Sequence, residues 1–461
     1  MAQETMKLKP VGANKNYSDD SRNVERGEGS PQDDDYDPHL HRNVEHPTSN
    51  TETLIHLLKG SLGTGILAMP EAFKNSGLTN GFICTILIGI LCTYCLHILV
   101  KAQYIMCKRL KVPILTYPES MKVALESGPQ CLRKFANMSP ILVDFFLVIY
   151  QLGICCVYVV FVAVNIKAVA DQYTETAISV KLYILMLLVP FILINSIRNL
   201  KLLAPFSTLA NVLTFASFGI VLYYIFQDLP SIDERPHFGT AYTFPLFFGT
   251  TLFALEAVGV VIALENNMKT PKSFGGTCGV LNVAMVVIVF LYVGMGFLGY
   301  WRYGEQSEAS ITLNFPPQDA LAKTVNILYS IAIFISYGLQ GYVPVKILWD
   351  TYIFKRLENS NHLLVWEYVL RIGAVIVTFV LAVTIPLLGL FISLFGAFCL
   401  SALGIAFPAI MEICVMYPDK LGPCKYILIK DILLILFGII GLCAGSYSCL
   451  SEIINALSSG S

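Results

Sequence analysis

Three glycines near the N-terminus fall within six residues of a single apolar run. Gly60, Gly63 and Gly65 lie in a run that extends from about residue 53 to 74. Each glycine weakens a helix by about 1 kcal/mol relative to alanine, so three together predict an unwound stretch. Close packing through small residues is the alternative, but that motif repeats every four residues and this cluster is spaced at three and two. Unwound backbone at membrane depth must line a cavity or be buried in protein.

A second apolar run combines helix breakers with an acidic residue. The run 244–267 contains Pro245, Gly249 and Gly259, with Glu256 near its middle. An acid inside an apolar run is rare and usually marks a substrate pathway or a proton site. A structural hydrogen bond to a neighbouring helix is the alternative. Two interrupted runs of this kind are typical of transporters that bind their substrate near the midplane of the membrane.

The composition indicates that these runs lie in lipid. Charged residues are 14% of the 461 positions, against about 25% in an ordinary soluble domain. Hydrophobic residues are 55%, and the mean hydropathy is +0.64. A formal net charge of −1 argues against a nucleic-acid partner. The thirteen cysteines lie mostly inside apolar runs, so neither a disulfide framework nor a metal site is predicted, and no cofactor is expected.

Eleven runs are long enough to cross a bilayer, and each should be helical because lipid offers no partners to free backbone groups. Their approximate bounds are 53–74, 79–100, 139–169, 180–197, 204–227, 244–267, 279–301, 321–346, 366–385, 387–411 and 428–450. Residues 1–50 are polar and acidic and are predicted to be a disordered tail. Residues 51–453 form the transmembrane domain, and 454–461 form a short C-terminal tail.

Lysine and arginine predict the orientation of these runs. With the N-terminus inside, the inner loops carry 18 of these residues and the outer loops carry five. Cytosolic loops are enriched in positive charge, so the N-terminus is predicted to be cytosolic and the C-terminus outside or lumenal. The sequence leaves open whether the membrane is the plasma membrane or an endolysosomal membrane, and whether the acidic tail binds a cytosolic partner.

Interruptions in the first and sixth runs are what two repeats of five helices would give. Since five is odd, two such repeats must have opposite orientations in the membrane. We therefore expect an all-α integral membrane protein with a 5+5 inverted repeat and one extra helix.

Three motifs resemble one transporter family. The stretch Leu54-Ile-His-Leu-Leu-Lys-Gly-Ser-Leu-Gly-Thr-Gly65 resembles the first span of the proton-coupled amino acid transporters. The stretches 253–261 and 143–158 are similar to their sixth and third spans. These transporters belong to the amino acid/auxin permease branch of the amino acid–polyamine–organocation superfamily and adopt the bacterial leucine transporter fold. The resemblance implies uptake of small amino acids with a proton. Ala257 and Ala263 depart from the glycine and proline common there, which leaves the preferred amino acid open.

A free amino acid is a zwitterion that needs donors for its carboxylate and acceptors for its ammonium. Amides around Gly63, Thr64 and Gly65 are predicted to bind the carboxylate. Carbonyls near Ser61 and in the stretch from Phe253 to Leu255 are predicted to bind the ammonium. The predicted substrate-binding residues are therefore Gly60, Ser61, Gly63, Thr64, Gly65, Phe253, Ala254, Leu255 and Gly259.

Proton coupling needs a group that titrates in the pathway, and two residues qualify. His56 lies one turn before the glycine cluster, and histidine titrates near neutral pH. Glu256 is the second candidate, because burial favours its protonated form. A histidine hydrogen-bonded inside the bundle is the structural alternative for His56. The family resemblance matches His56 to the histidine implicated in proton coupling.

Three other functions share some of these features. An amino acid sensor would use the same pocket, and a sodium-coupled carrier would differ only in the driving ion. A membrane enzyme would need a nucleophile or metal ligands at one depth, and the sequence shows no such cluster. We therefore predict a secondary active transporter of small neutral amino acids that works by proton symport with alternating access.

Overall fold

A computed structural model describes residues 36–44, 47–174, 178–198, 200–227, 229–255, 258–358 and 360–459. Within these ranges every regular element is helical, and the one β-type pairing is an isolated bridge between Thr48 and Met268. The α-helices are α1 Asn50–Ser61, α2 Thr64–Leu67, α3 Met69–Ser76, α4 Leu78–Leu110, α5 Tyr117–Ser127, α6 Gln130–Arg133, α7 Ser139–Ala170, α8 Val180–Asn195, α9 Leu200–Ile225, α10 Phe244–Leu255, α11 Val258–Asn266, α12 Val280–Tyr303, α13 Ala320–Ile347, α14 Phe354–Leu357, α15 Leu363–Thr384, α16 Leu388–Phe395, α17 Phe407–Met416 and α18 Tyr426–Ser459.

Nine helical segments of the described chain are long and apolar enough to cross a membrane. A tenth, α8, is apolar but only 16 residues long. The first apolar run is divided among α1, α2 and α3. The protein is therefore a multi-pass, all-helical membrane protein. Segments 348–353 and 396–406 are π-helical and continue α13 and α16 without a turn.

The helices divide into an inner set and a peripheral set. Within the segment from Leu388 to Met416, 78% of the most apolar window is buried in the protein, and the corresponding shares are 73% for Phe244–Asn266 and 67% for Ser139–Ala170. The share falls to 11% for the last segment, Pro423–Ser458. The inner set therefore surrounds the centre of the protein, and the last helix lies at its edge.

A buried ionic cluster fixes the end of α8 to α15. Arg371 is 4% exposed and donates hydrogen bonds to Glu367 Oε1 and to the backbone oxygen of Asn195. Asn195 Nδ2 donates to the backbone oxygen of Arg371 at 3.0 Å. Arg198 also binds Glu367, and this contact raises the pKa of the Arg198 guanidinium. A buried charge is tolerated only when paired and hydrogen-bonded, and this cluster meets both conditions.

The second interrupted run differs from its prediction. Helix α10 passes through Gly249 without a break, and Pro245 is its second residue, where the missing N–H costs nothing. Gly249 is instead a point of close approach, because a Cβ built there would collide with the backbone oxygen of Ser393. Gly259 lies inside α11. Pro245 and Gly249 therefore do not break α10, and residues 256–257, which lie between α10 and α11, are outside the described residues.

We expect Gly249→Ala to lower the stability of the protein by about 1–3 kcal/mol, the usual cost of overpacking. The added methyl cannot fit between α10 and the end of α16 unless the helices move apart. Thermal unfolding of purified protein in detergent measures the effect. Gly294→Ala is the matched control, since a Cβ at Gly294 meets no atom within 4 Å. Equal melting temperatures for the two variants would contradict the close approach.

Candidate functional site

The unwound stretch between α1 and α2 is the centre of the site. Helix α1 begins at a capping box, in which Ser49 N donates to Glu52 Oε2 at 2.8 Å and Glu52 N donates to Ser49 Oγ. These hydrogen bonds lower the pKa of the exposed Glu52 carboxyl. The helix ends at Ser61, and Gly63 has extended backbone with φ −108° and ψ −151°. The predicted interruption of the first run is confirmed.

A cavity of about 830 Å³ opens at this break. That volume falls in the range of small-molecule pockets. Eight of the predicted binding residues line it, namely Gly60, Ser61, Gly63, Thr64, Gly65, Phe253, Ala254 and Gly259. Leu255 is fully buried and is not among the lining residues. His56 lies on the exposed side of α1 away from the lining, and Glu256 is outside the described residues.

The polar groups at the break are not all available to a ligand. The backbone oxygen of Ser61 accepts from Gly63 N at 2.9 Å and from the hydroxyl of Tyr292 on α12. The predicted ammonium acceptor is therefore occupied, and so is the predicted Gly63 donor. Thr64 differs, because its side chain is buried and Oγ1 has no hydrogen-bond partner among the described residues. A buried hydroxyl without a partner, at the wall of a cavity, is suited to bind a polar ligand.

The opposite wall comes from α7 and α13. Gln151 Nε2 donates to Gln340 Oε1, and Tyr158 also hydrogen-bonds Gln340. Tyr150 packs edge-on against Phe253 with ring centroids 6.1 Å apart. This wall presents amide, hydroxyl and aromatic groups to the break. Our sequence analysis did not find these residues, although glutamine inside an apolar run is a signal of the same kind as Glu256.

One part of the cavity, here called its mouth, is lined by exposed residues such as Glu119, Lys346 and Asp350. The mouth comprises residues 114–119, the end of α11 and residues 346–351. Four charged residues stand there, Glu119, Asp144, Lys346 and Asp350. On the α3 side of the break, Met69, Ala72 and Phe73 are fully buried in the protein.

Residues 38–44 and 47–49, here called the N-terminal strap, bind residues that are next to the lining of the cavity in the sequence. Arg42 makes two hydrogen bonds to the carboxylate of Glu265, at 3.0 and 3.1 Å, and its Nε donates to Pro113 O at 3.3 Å. Thr48 N donates to Asn267 O at 2.9 Å. The sequence predicts a disordered tail as far as residue 50, whereas the structure gives the strap defined contacts. Residues 1–35 lie outside the described residues.

These features define a multi-pass membrane protein with a cavity at a broken helix. The profile of the family described as "Transmembrane amino acid transporter protein" matches residues 46–451. The chain is similar to the "Proton-coupled amino acid transporter-like protein pathetic" of Drosophila melanogaster, with 43% identity over 92% of this chain and 89% of the relative. It is also similar to "Vacuolar amino acid transporter 3" of Saccharomyces cerevisiae, with 27% identity over 86% of this chain and 55% of the relative.

The chain therefore belongs to the transmembrane amino acid transporter family. It is an amino acid transporter and not an enzyme. The family resemblance in the sequence is confirmed.

We expect Arg42→Ala to release the N-terminal strap. The substitution leaves Glu265, which is 5% exposed, without its bidentate partner, and breaking a buried pair on one side costs about 3–5 kcal/mol. The amides of Thr48 and Lys269, which hydrogen-bond across the bridge, should then exchange with solvent faster. Hydrogen–deuterium exchange with mass spectrometry measures this.

Lys122→Ala is the control for the strap, because it removes an exposed ion pair to Glu126 with N and O 3.8 Å apart. Exposed pairs contribute little, so exchange near Thr48 should stay at the parent level. Unchanged exchange in Arg42→Ala would mean that the strap is held by other contacts.

Proposed function

We propose that this protein is a secondary active transporter that moves small neutral amino acids together with a proton by alternating access. The observation that carries the proposal is the cavity at the unwound backbone of the first span, whose exposed lining residues stand at 114–119 and 346–351. Alternating access requires a site that faces one side of the membrane at a time, and we infer that this site faces the side of those residues. A proteoliposome assay of labelled alanine uptake separates a transporter from a sensor, since a sensor binds without flux.

The lining supports a small neutral substrate. Around the break the cavity is bounded by backbone and by neutral side chains, among them Thr64, Tyr158 and Gln340. The charged residues stand at the mouth. A charged substrate side chain at the break would lose its hydration without gaining an ion pair there, which is costly in a buried site. A zwitterion with a short side chain avoids that cost.

We further propose eleven crossings, arranged as a 5+5 inverted repeat with one extra helix and a cytosolic N-terminus. The first run, divided among α1, α2 and α3, supports this arrangement as the interrupted first helix of the first repeat. The low burial of the last segment supports its role as the extra helix. In this orientation the mouth of the cavity faces the cytosol. The C-terminus lies outside or in the lumen. We place the protein in the plasma membrane or an endolysosomal membrane, and the vacuolar yeast relative supports the second.

Two observations support the proposal of proton coupling: the name of the Drosophila melanogaster relative and the position of His56. His56 lies one turn before the break, on the exposed side of α1. The imidazole of His56 can therefore take up and release a proton outside the cavity. Movement of α1 would then carry the bound proton. Glu256 is the second proposed proton site. Symport of a zwitterion with one proton moves one positive charge, so the membrane potential drives uptake by about 2.3 kcal/mol per 100 mV.

We expect His56→Ala to abolish concentrative, acid-stimulated uptake and to leave exchange of amino acid intact. The reason is that the variant keeps the pocket but lacks the imidazole that is proposed to carry the proton. Uptake and membrane current are measured together as the pH on the proton-supplying side is varied. His362→Ala, in the exposed segment before α15, is the control. A parent-like pH-dependent current in His56→Ala would move the coupling role to Glu256 or elsewhere.

We expect Gly63→Ala to weaken amino acid binding at least tenfold while the protein stays folded. A Cβ at Gly63 would lie 3.7 Å from Tyr158 Oη, an ordinary contact, and the extended backbone accepts alanine. The methyl therefore fits the fold and takes space between the break and α7. Equilibrium binding of labelled alanine to purified protein tests this. Gly373→Ala, where a Cβ meets nothing within 4 Å, should bind like the parent.

A further inference from the structure

Tyr292 makes the most unusual contact at the break. It lies on α12, is 1% exposed, and its hydroxyl donates to the backbone oxygen of Ser61 while its side chain lines the cavity. Ser61 is the last residue of α1, so its carbonyl lacks the partner that a continuing helix would supply. The hydroxyl of Tyr292 satisfies this group.

The Ser61 carbonyl oxygen has no free lone pair to accept a hydrogen bond from a substrate. A carbonyl oxygen has two lone pairs. Gly63 N–H takes one at 2.9 Å, and Tyr292 O–H takes the other. An ammonium group that enters the cavity can bind this oxygen only if one of the two donors leaves. The Gly63 amide belongs to the turn itself, whereas the Tyr292 hydroxyl comes from another helix and can rotate away.

We propose that Tyr292 competes with the substrate ammonium for the Ser61 carbonyl and is thereby a specificity-determining residue. This deepens the proposed function and rests on it. The ligand class is an α-amino acid whose ammonium carries N–H donors. An N–H of the ammonium replaces the Tyr292 O–H on the carbonyl, and the freed hydroxyl turns to another acceptor in the cavity. Amino acids without N–H donors cannot make this exchange.

The same face of α12 contacts both sides of the break. Gly296 and Gly299 follow Tyr292 at the spacing of one helix face. A Cβ at Gly296 would collide with the ring of Phe73, and one at Gly299 would collide with Pro70. Helix α12 therefore touches α1 through Tyr292 and the start of α3 through the glycines. Displacing the tyrosine hydroxyl changes how α12 holds the two halves of the first span, which links ammonium binding to the position of α3.

Tyr292→Phe tests the proposal, because it removes the competing donor and keeps the ring. Equilibrium binding of labelled alanine to purified protein should become about tenfold tighter, the effect expected when a hydrogen bond to a charged group no longer has a competitor. The gain should shrink for N-methylalanine and vanish for N,N,N-trimethylalanine, which has no N–H. Unchanged or weaker binding of alanine by Tyr292→Phe would overturn the proposal, as would an equal gain for all three ligands.

Tyr329→Phe is the matched control. Tyr329 is also fully buried, and its hydroxyl has no hydrogen-bond partner among the described residues, so the variant should bind alanine like the parent. A melting temperature measured with and without alanine shows whether each variant is folded and reports binding independently. If the parent protein itself fails to bind any small amino acid, the proposed function fails instead, and that result is visible before any variant is made.

Discussion

Backbone groups inside a membrane must find their partners within the protein, and the site depends on how this requirement is met at one break. The first span stops at Ser61 and resumes at Thr64. The carbonyl left by the break is satisfied by the Gly63 amide and the Tyr292 hydroxyl. An unsatisfied buried carbonyl would cost about 1–3 kcal/mol. These two hydrogen bonds remove that cost and so stabilise the break. In the proposed binding site, the backbone carbonyl of Ser61 thus exchanges one hydrogen-bond donor for another.

The same requirement applies to charges, and the protein meets it differently at two places. Arg371 is buried beside Glu367 of the same helix and also binds the backbone of Asn195, which ties α15 to α8. Arg42 reaches from the N-terminal strap to Glu265 and Pro113, next to residues that line the mouth of the cavity. The first cluster holds α8 against α15, with Arg371 over the ring of Tyr342, a residue that lines the cavity. The second joins two walls of an opening, so its loss is expected to alter the mouth before it alters the bundle.

The sequence predicts the parts of this protein that local chemistry controls. Apolar length predicts the long helices, and the cluster of Gly60, Gly63 and Gly65 predicts the break. The same reasoning is wrong at Gly249, because a glycine weakens a helix only if nothing else holds it, and there α10 packs directly on Ser393. Propensity is local, whereas close approach between helices depends on the partner. A sequence pattern does not distinguish the two at a single glycine.

Contacts between residues far apart in the sequence explain the remaining differences between the sequence predictions and the structure. The amides of Gln151 and Gln340 meet although they are 189 residues apart, and Arg42 meets Glu265 over 223 residues. A glutamine inside an apolar run is a local signal, but neither Gln151 nor Arg42 indicates in the sequence which distant residue it will meet. Tyr292 belongs to the same class, since it meets Ser61 across 231 residues. The local sequence therefore specifies where the helix breaks, and distant residues determine what the broken helix can bind.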